Sequence, residues 1–330
     1  MSVSDPLIGV IGSGAWGTAL AVLSARAGRR TILWTRTPEA AARMSAERRN
    51  EARLPGVALP PALAITSDGM SVAAADIVLL AVPAQTIRDA LAGLGAALRG
   101  PVVICAKGLD RLSGRLPSEV LVEAAPLARA YALSGPGFAG DVARGLPTAV
   151  TLGGADRDEA VAIAAVLAQA TFRIYASDDL RGVQIGGALK NVMAIACGIS
   201  DGRGFGESAR AALTTRAFAE MTRLGQAFGA QAATLAGLSG LGDLILTCAS
   251  PQSRNYSLGF ALGSGQPLSQ AIAGQSGVSE GLYTAAVAVA LARRHGVDAP
   301  LCQAVDAVLS GASSPEHEIA RLLSRPLRSE

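Results

Sequence analysis

The sequence predicts an α/β protein in which an N-terminal Rossmann-type, doubly wound sheet is followed by an all-helical C-terminal domain. Short β-branched runs alternate with alanine-rich helical patterns along the first half of the chain, as in βαβ units. The glycine cluster GSGAWG, residues 12–17, follows the first of these runs. From about residue 179 onward the apolar spacing is helical and no strand pattern is present. We therefore place the α/β domain at residues 1–178 and the helical domain at residues 179–330.

Predicted strands recur along the first domain, and predicted helices fill the second. The strands cover residues 7–11, 31–35, 76–82, 102–106, 131–134, 148–152 and 172–175. The run at 76–82, DIVLLAV, is continuously apolar, as expected of a parallel strand buried on both faces. The alternation with helices predicts parallel pairing through right-handed crossovers. In the second domain the predicted helices cover residues 180–199, 209–228, 255–262 and 280–295.

Composition favours a compact cytoplasmic protein and argues against several other classes. The net charge is only +3 and no block of like charges occurs, which argues against a nucleic-acid partner. Residues 6–25 carry no charge, but glycines interrupt this stretch and no basic segment precedes it. We therefore expect neither a signal peptide nor a membrane span. The four cysteines are scattered without metal-ligand spacing, which favours reduced thiols and no metal site.

The glycine cluster predicts a dinucleotide site at the start of the first helix. Gly12 permits the tight turn, Gly14 lets the backbone approach a pyrophosphate, and Gly17 lets the helix pack against the strand. The N–H groups at the start of that helix would then bind the anion. The alternative is a glycine-rich turn that binds no ligand.

The end of the second predicted strand indicates which dinucleotide binds. NAD-specific domains usually carry a carboxylate there, whereas this strand ends in Trp34-Thr35-Arg36. Arg36 lies 24 positions after Gly12 and can pair with a 2′-phosphate, which favours NADP(H), with NAD(H) as the second cofactor. The alternative is that Arg36 is a solvated surface charge.

Two later strands end in residues placed for a ligand. Pro83 follows the fourth strand and Lys107 follows the fifth. Ligands of open α/β sheets bind outside the carboxyl ends of the strands. We therefore expect Lys107 near the nicotinamide half of the crevice, where its amine can bind a substrate oxygen or phosphate.

A lone lysine in an apolar helix is the candidate proton donor. Lys190 is the only charged residue between positions 181 and 201, and a buried ammonium releases its proton more readily than an exposed one. Asn191 beside it can orient a substrate. The two histidines, His295 and His317, lie in polar stretches and are expected at the surface. The alternative is that Lys190 extends from a core helix to water.

A polar cluster further along the chain offers groups for an anionic substrate. Arg254 presents a planar fork suited to phosphate, with Ser253 and Asn255 on either side. Asp243, followed by Thr247 four positions later, can accept a hydrogen bond from a substrate hydroxyl or from the buried lysine. The alternative is that the Asp, Ser and Asn of this cluster cap helices.

Taken together, these motifs resemble those of NAD(P)-dependent glycerol-3-phosphate dehydrogenases of the bacterial type. The resemblance lies in segments that run in family order across nearly the whole chain: GSGAWGTALA (12–21), AKGL (106–109), LSGPGFAGDVARGLPTA (133–149), GVQIGGALKNVMAIACGISDGRGFGESARAAL (182–213), GLSGLGDLILTC (237–248) and QSRN (252–255). The KN, GLGDL and SRN motifs are specific in combination, whereas the glycine motif alone is not.

The resemblance implies a role for individual residues. It identifies Lys190 as the catalytic lysine, which accepts the proton when glycerol 3-phosphate is oxidised. The substrate contacts that it implies are Lys107, Gly135, Lys190, Asn191, Asp243, Thr247, Ser253, Arg254 and Asn255. The cofactor contacts are Gly12, Gly14, Ala15, Trp16, Gly17, Arg36, Pro83, Lys107, Gly137, Ala139, Arg254, Val278 and Glu280.

Two positions depart from the family pattern. The third residue of the family's Gly-Pro-x-Phe loop is usually Ser or Thr, and Gly137 stands in its place. The spacing around Glu280, QSGVSEG, also differs from the family pattern.

The activity that the resemblance implies is the reversible reduction of dihydroxyacetone phosphate to sn-glycerol 3-phosphate with NAD(P)H, which supplies phospholipid synthesis. It also implies a phosphorylated triose as substrate and a homodimer as the assembly. Two alternatives stay open at this point. One is another two-domain β-hydroxyacid-type dehydrogenase acting on a carboxylate, and the other is a non-catalytic NADPH-binding sensor.

Overall fold

A computed structural model describes residues 6–275 and 277–326 of the protein. It divides into two compact units. The first contains the chain up to Lys107 together with Arg115–Gln184, and the second contains Gly108–Gly114 and the chain from Ile185 onward. The predicted fold class, a Rossmann-type α/β part followed by a helical part, is confirmed.

The elements follow one another in the predicted alternating order. The strands are β1 (Ile8–Ile11), β2 (Thr31–Trp34), β3 (Arg49–Asn50), β4 (Leu54–Ala58), β5 (Ala64–Thr66), β6 (Ile77–Leu80), β7 (Pro101–Ile104), β8 (Arg129–Ser134), β9 (Thr148–Gly154) and β10 (Phe172–Ser177). The α-helices between these strands are α1 (Ala15–Arg26), α2 (Pro38–Glu47), α3 (Gly69–Ala73), α4 (Ile87–Leu91), α5 (Pro117–Ala124), α6 (Ala139–Ala143) and α7 (Arg157–Leu167).

Helices alone follow β10 in the described part of the chain. They are α8 (Leu180–Gly202), α9 (Gly206–Ala227), α10 (Ala232–Leu235), α11 (Asp243–Cys248), α12 (Arg254–Gly263), α13 (Leu268–Ala273), α14 (Gly281–Arg294), α15 (Pro300–Leu309) and α16 (Pro315–Leu323). A short π-helical turn, Leu238–Gly242, leads into α11. Each of the four helices predicted from apolar spacing is present, with ends that differ by at most three residues.

The main sheet of the first unit has the order β10-β9-β8-β7-β6-β1-β2-β5. Its central strands are buried on both faces, and their side chains alternate between two apolar layers. In β6, Ile77 and Leu79 enter the layer that also contains Leu20, whereas Val78 and Leu80 enter the layer that contains Leu121. This double coverage is why the run at 76–82 carries no polar residue after its first position.

The expectation of uniformly parallel pairing is wrong at one place. Strand β9 pairs antiparallel with β8, with Ser134 opposite Thr151, while the other neighbours in the sheet pair in parallel. The connection between them contains only α6, a five-residue helix about 7.5 Å long. So short a helix does not return the chain along a six-residue strand of about 20 Å. The connection therefore stays at the carboxyl edge of the sheet.

Three short strands were not predicted. Strands β3 and β4 form a separate antiparallel pair, and β5 is the three-residue edge strand of the main sheet. The sequence of β4 contains Pro55 and Gly56, both of which argue against a strand. Arg48 has a left-handed backbone (φ 48°) that ends α2.

The second unit is organised around α8, which contacts α12 backbone to backbone. Gly198 and Gly202 of α8 lie against the carbonyls of Tyr256 and Phe260, and Gly259 and Gly263 of α12 lie against those of Ile195 and Ile199. A Cβ atom at any of these four glycines would overlap the opposing backbone. The close approach brings the start of α12 beside the middle of α8.

Helix α8 is long and apolar enough to cross a bilayer by length and composition, but 94% of its most apolar window is buried inside the protein. Such burial is typical of a core helix. The conspicuous hydrophobicity of this segment is therefore explained by packing.

Substituting Gly259→Ala should lower the melting temperature strongly, because the added methyl group would meet the Ile195 carbonyl and separate α8 from α12. Overpacking of this kind costs about 1–3 kcal/mol or more. Gly274→Ala is the matched control, since its added methyl group comes no nearer than 3.6 Å to another residue and its φ is −74°. Thermal unfolding monitored by circular dichroism measures both variants. Equal melting temperatures would show that the glycine contact does not hold the helices together.

Candidate active site

The glycine turn after β1 has the shape that the sequence predicts. Gly12 has φ 112°, and a Cβ atom there would lie 2.8 Å from the Ala81 carbonyl oxygen. A Cβ at Gly17 would overlap the Gly12 carbonyl, so only glycine lets α1 start this close to β1. At Gly14, by contrast, the space around the Cα is open, and the residue precedes α1 without a side-chain cap. An open, uncapped helix start is the cradle that a pyrophosphate requires, so the residues present fit a dinucleotide.

A buried asparagine that sequence reasoning missed supports the turn. Asn50 of β3 donates through Nδ2 to the Ser13 carbonyl (2.9 Å) and to Thr18 Oγ1 (2.8 Å). Ser13 Oγ also donates to Thr35 Oγ1 (2.9 Å) at the end of β2. No local signal could have identified Asn50, because its partners lie more than thirty positions earlier in the chain.

The other predicted residues of the first domain lie near this turn or at the ends of neighbouring strands. Arg36 is exposed just after β2, and Pro83 precedes a 3-10 turn after β6. Ala15 and Ala139 are the first residues of α1 and α6. Because β1, β2, β6 and β7 are parallel, their carboxyl ends share one edge of the sheet.

Lys107, Gly135, Gly137 and Trp16 form a compact group at this edge. The Lys107 amine donates to the Gly135 carbonyl (2.9 Å) and lies 5.8 Å from the centre of the Trp16 ring. Gly135 has φ 150°, and a Cβ there would lie 2.8 Å from the Cα of Val150. A Cβ at Gly137 would lie 3.6 Å from the Trp16 ring. The Ser or Thr side chain that the family usually carries at this position would therefore lie beside the indole. The structure therefore brings together residues from three separate parts of the sequence.

A nearby cysteine is not a nucleophile. Burial raises the pKa of Cys105 to about 12, and this effect exceeds the opposing influence of the Lys107 ammonium. The thiol therefore stays protonated at neutral pH.

In the second unit Lys190 is buried, with 7% of its surface exposed, and does not extend to water. Its amine donates to Asp243 Oδ1 (2.7 Å) and to Thr247 Oγ1 (2.8 Å). The Thr247 hydroxyl in turn donates to the same carboxylate oxygen (3.2 Å). Asp243 and Thr247 lie one turn apart on α11 and are themselves buried. The two bonds to Asp243 and Thr247 fix the direction of the buried amine.

The capping alternative holds for Ser253, whereas Asp243 and Asn255 also bond to other side chains. Ser253 caps α12, since its Oγ accepts from the Tyr256 N–H (3.2 Å). Asp243 accepts from the Lys190 amine and from the Thr247 hydroxyl. Asn255 donates to Asn191 Oδ1 (2.8 Å) and accepts from the Gly281 N–H (3.0 Å).

The Asn191–Asn255 pair joins the lysine to the arginine motif. Asn191 follows Lys190 on α8, and Asn255 follows Arg254 at the start of α12. Through Gly281 the same pair reaches the segment that contains Val278 and Glu280, just before α14. The residues predicted in the second domain therefore belong to one cluster within one unit. His295 and His317 are exposed, as predicted.

Comparison with known proteins gives a consistent match along the chain. Residues 7–160 match the family model described as the N-terminus of NAD-dependent glycerol-3-phosphate dehydrogenase, and residues 179–320 match the model described as its C-terminus. The chain is 51% identical over 332 residues to a protein of Parvibaculum lavamentivorans named glycerol-3-phosphate dehydrogenase, NAD(P)+, with full coverage of both chains. It is 53% identical over 325 residues to a protein of the same name from Azorhizobium caulinodans, covering 98% of each.

Among solved structures, the fold is similar to that of glycerol-3-phosphate dehydrogenase from Coxiella burnetii. The TM-score is 0.92 at 36% identity, and the match covers 97% of this chain and 99% of the other.

The glycine turn allows stability and ligand binding to be tested separately. Gly17→Ala should lower the melting temperature, because its methyl group would overlap the Gly12 carbonyl. Gly14→Ala should leave stability within about 0.5 kcal/mol of the parent, since open space surrounds the site, yet weaken NADPH binding by tenfold or more, on the order of the loss of one charge-assisted hydrogen bond. Calorimetry with NADPH and thermal unfolding measure the two effects. Unaltered NADPH affinity in Gly14→Ala would mean that the cofactor does not approach the backbone there.

Proposed function

The chain belongs to the NAD-dependent glycerol-3-phosphate dehydrogenase family, and we propose that Lys190 is the residue through which it exchanges a proton with substrate. The reaction is the reversible reduction of dihydroxyacetone phosphate to sn-glycerol 3-phosphate with NAD(P)H. The observation that carries the proposal is the buried Lys190 amine, held by Asp243 and Thr247. The alternatives of a β-hydroxyacid-type dehydrogenase and of a non-catalytic sensor are not favoured, because both family models match.

The proton and charge balance follows from the pairing of Lys190. Bound NAD(P)H supplies the hydride that reduces the ketone carbon. As negative charge develops on the ketone oxygen, the Lys190 ammonium donates a proton to it, so that an N–H bond breaks and an O–H bond forms. The neutral amine stays bonded to Asp243 and Thr247 and regains its proton from solvent. In the oxidative direction the neutral amine accepts the hydroxyl proton of glycerol 3-phosphate.

The phosphate of the substrate is the proposed ligand of Arg254. A guanidinium binds a phosphate in bidentate fashion, and the N-terminus of α12, at which Arg254 lies, favours an anion. Ser253, Asn255 and Asn191 complete this part of the proposed substrate site, and Lys107 and Gly135 are proposed contacts on the first unit. Anchoring the distant phosphate holds the ketone in place for the chemical step.

The cofactor contacts extend the same proposal. The first unit is proposed to bind the pyrophosphate through the turn formed by Gly12, Gly14, Ala15, Trp16 and Gly17, with Pro83, Lys107, Gly137 and Ala139 as further contacts. Arg254, Val278 and Glu280 are the proposed contacts from the second unit. The exposed Arg36 would pair with the 2′-phosphate and so favour NADP(H) over NAD(H). A homodimer in the cytoplasm, whose product enters glycerophospholipid synthesis, is part of the same proposal.

Replacing the lysine tests its role directly. Lys190→Ala should lower kcat by about 10²–10⁴-fold because the general acid is lost. Lys190→Arg keeps a positive charge next to Asp243, but a guanidinium does not release its proton, so kcat should fall in this variant as well. Steady-state oxidation of NADPH with dihydroxyacetone phosphate measures turnover, and thermal unfolding confirms that each variant folds. Near-normal turnover in folded Lys190→Arg would remove proton donation from the role of this residue.

The cofactor preference is tested at Arg36. Arg36→Ala should raise the KM for NADPH about tenfold or more, the loss expected for a charge-assisted hydrogen bond, while the KM for NADH changes less than twofold. Arg43→Ala, at another exposed arginine on the following helix, is the control and should alter neither value. Parallel initial-rate measurements with the two cofactors decide the matter. Equal losses with NADPH and NADH would exclude a contact between Arg36 and the 2′-phosphate.

A further inference from the structure

Arg254 is held by residues that lie well beyond its own helix. Gln275 donates through Nε2 to the Arg254 carbonyl (2.9 Å), and its Oε1 accepts from the Ser279 hydroxyl (2.5 Å). Residues 275 and 277–280 belong to no helix or strand, but turns anchor both ends of this segment: the Gln275 N–H donates to the Ile272 carbonyl, and the Glu280 carbonyl accepts from the first turn of α14. The Gln275 side chain adds a direct link between this segment and the Arg254 backbone.

Gly277 lies directly against the Arg254 side chain. A Cβ atom at Gly277 would be 2.6 Å from Nη1 of the guanidinium and 3.7 Å from its Cζ. The guanidinium thus occupies the place that a side chain at residue 277 would take.

The neighbouring residue is attached to the same stretch. The Asn255 Oδ1 accepts from the Gly281 N–H (3.0 Å), and a Cβ at Gly281 would lie 2.8 Å from that oxygen. Arg254 and Asn255 therefore both contact the segment formed by residues 275 and 277–281. The proposed cofactor contacts Val278 and Glu280 lie in the same segment.

We propose that Gly277 and Gln275 are positioning residues for Arg254. Because Gly277 has no side chain, the Arg254 guanidinium has space to take up its phosphate-binding position. Gln275 binds the Arg254 carbonyl and so links the segment that contains Gly277 to the Arg254 backbone. These contacts thereby fix the position of Arg254, the proposed phosphate ligand, relative to the proposed cofactor contacts Val278 and Glu280. The inference rests on the proposed binding of the substrate phosphate by Arg254.

A matched pair of glycine variants tests the proposal. Gly277→Ala should raise the KM for dihydroxyacetone phosphate about tenfold or more, because the methyl group displaces a guanidinium that makes charge-assisted bonds. Its melting temperature should change little, since the displaced group is the end of a flexible side chain. Gly274→Ala, three residues earlier with no close neighbour, should leave KM within twofold of the parent. Equal KM values for the two variants would overturn the proposal.

A double substitution shows whether Gly277 acts through Arg254. In an Arg254→Ala background the guanidinium is absent, so adding Gly277→Ala should raise KM no further. A full additional rise would mean that Gly277 acts in another way and would overturn the inference. If Arg254→Ala alone leaves KM unchanged, the phosphate role of Arg254 fails, which is a different result from failure at Gly277.

Gln275 provides a second, independent variant should Gly277→Ala not fold. Gln275→Ala removes the bond to the Arg254 carbonyl and should raise the same KM severalfold, about the effect of one neutral hydrogen bond. Gln270→Ala, at an exposed glutamine on α13, is its control. Identical KM values in Gln275→Ala and Gln270→Ala would remove Gln275 from the positioning role.

Discussion

The buried pair formed by Lys190 and Asp243 is the interaction on which the arrangement of the second unit depends. Removing two charges from water costs several kcal/mol per ion, and their mutual attraction offsets this only with good geometry and further hydrogen bonds. Thr247 supplies such a bond to each partner. Because an apolar pair of similar volume often stabilises a protein as well or better, stability alone does not explain this pair. Helices α8 and α11 must hold their side chains in register for the pair to exist.

The helices of the second unit are held in position by close contact between their backbones, which glycine residues permit. Gly198 and Gly259 let α8 and α12 touch, which places Asn255 against Asn191 and thus the arginine motif beside the lysine. In the first unit Gly12 and Gly17 perform the same task between β1 and α1. In each case the absent side chain matters because a backbone carbonyl occupies its place. These glycines are therefore required for close packing of the backbone.

The local sequence pattern predicted those elements in which the spacing of apolar residues indicates both the secondary structure and the buried face. A run such as DIVLLAV is typical of a strand covered on both faces, and the helical spacing after residue 179 predicted α8, α9, α12 and α14. The prediction was wrong for the β8–β9 pair, because strand direction depends on how far the intervening chain can travel, and the pattern does not state the length of α6. It missed β5 and Asn50 for a related reason. Their roles arise from partners that are distant in sequence.

The sequence by itself determined the fold class, the glycine turn, the family and the identity of the residues that carry charge in an otherwise apolar helix. It left open whether Lys190 pairs inside the protein or extends to water, and whether Asp243 and Asn255 bind side chains or cap helices. Only the tertiary structure decided these questions. The physical reason is that a buried charge or amide is satisfied by whichever partner the packing of helices brings within about 3 Å, and that partner is fifty or more positions away along the chain.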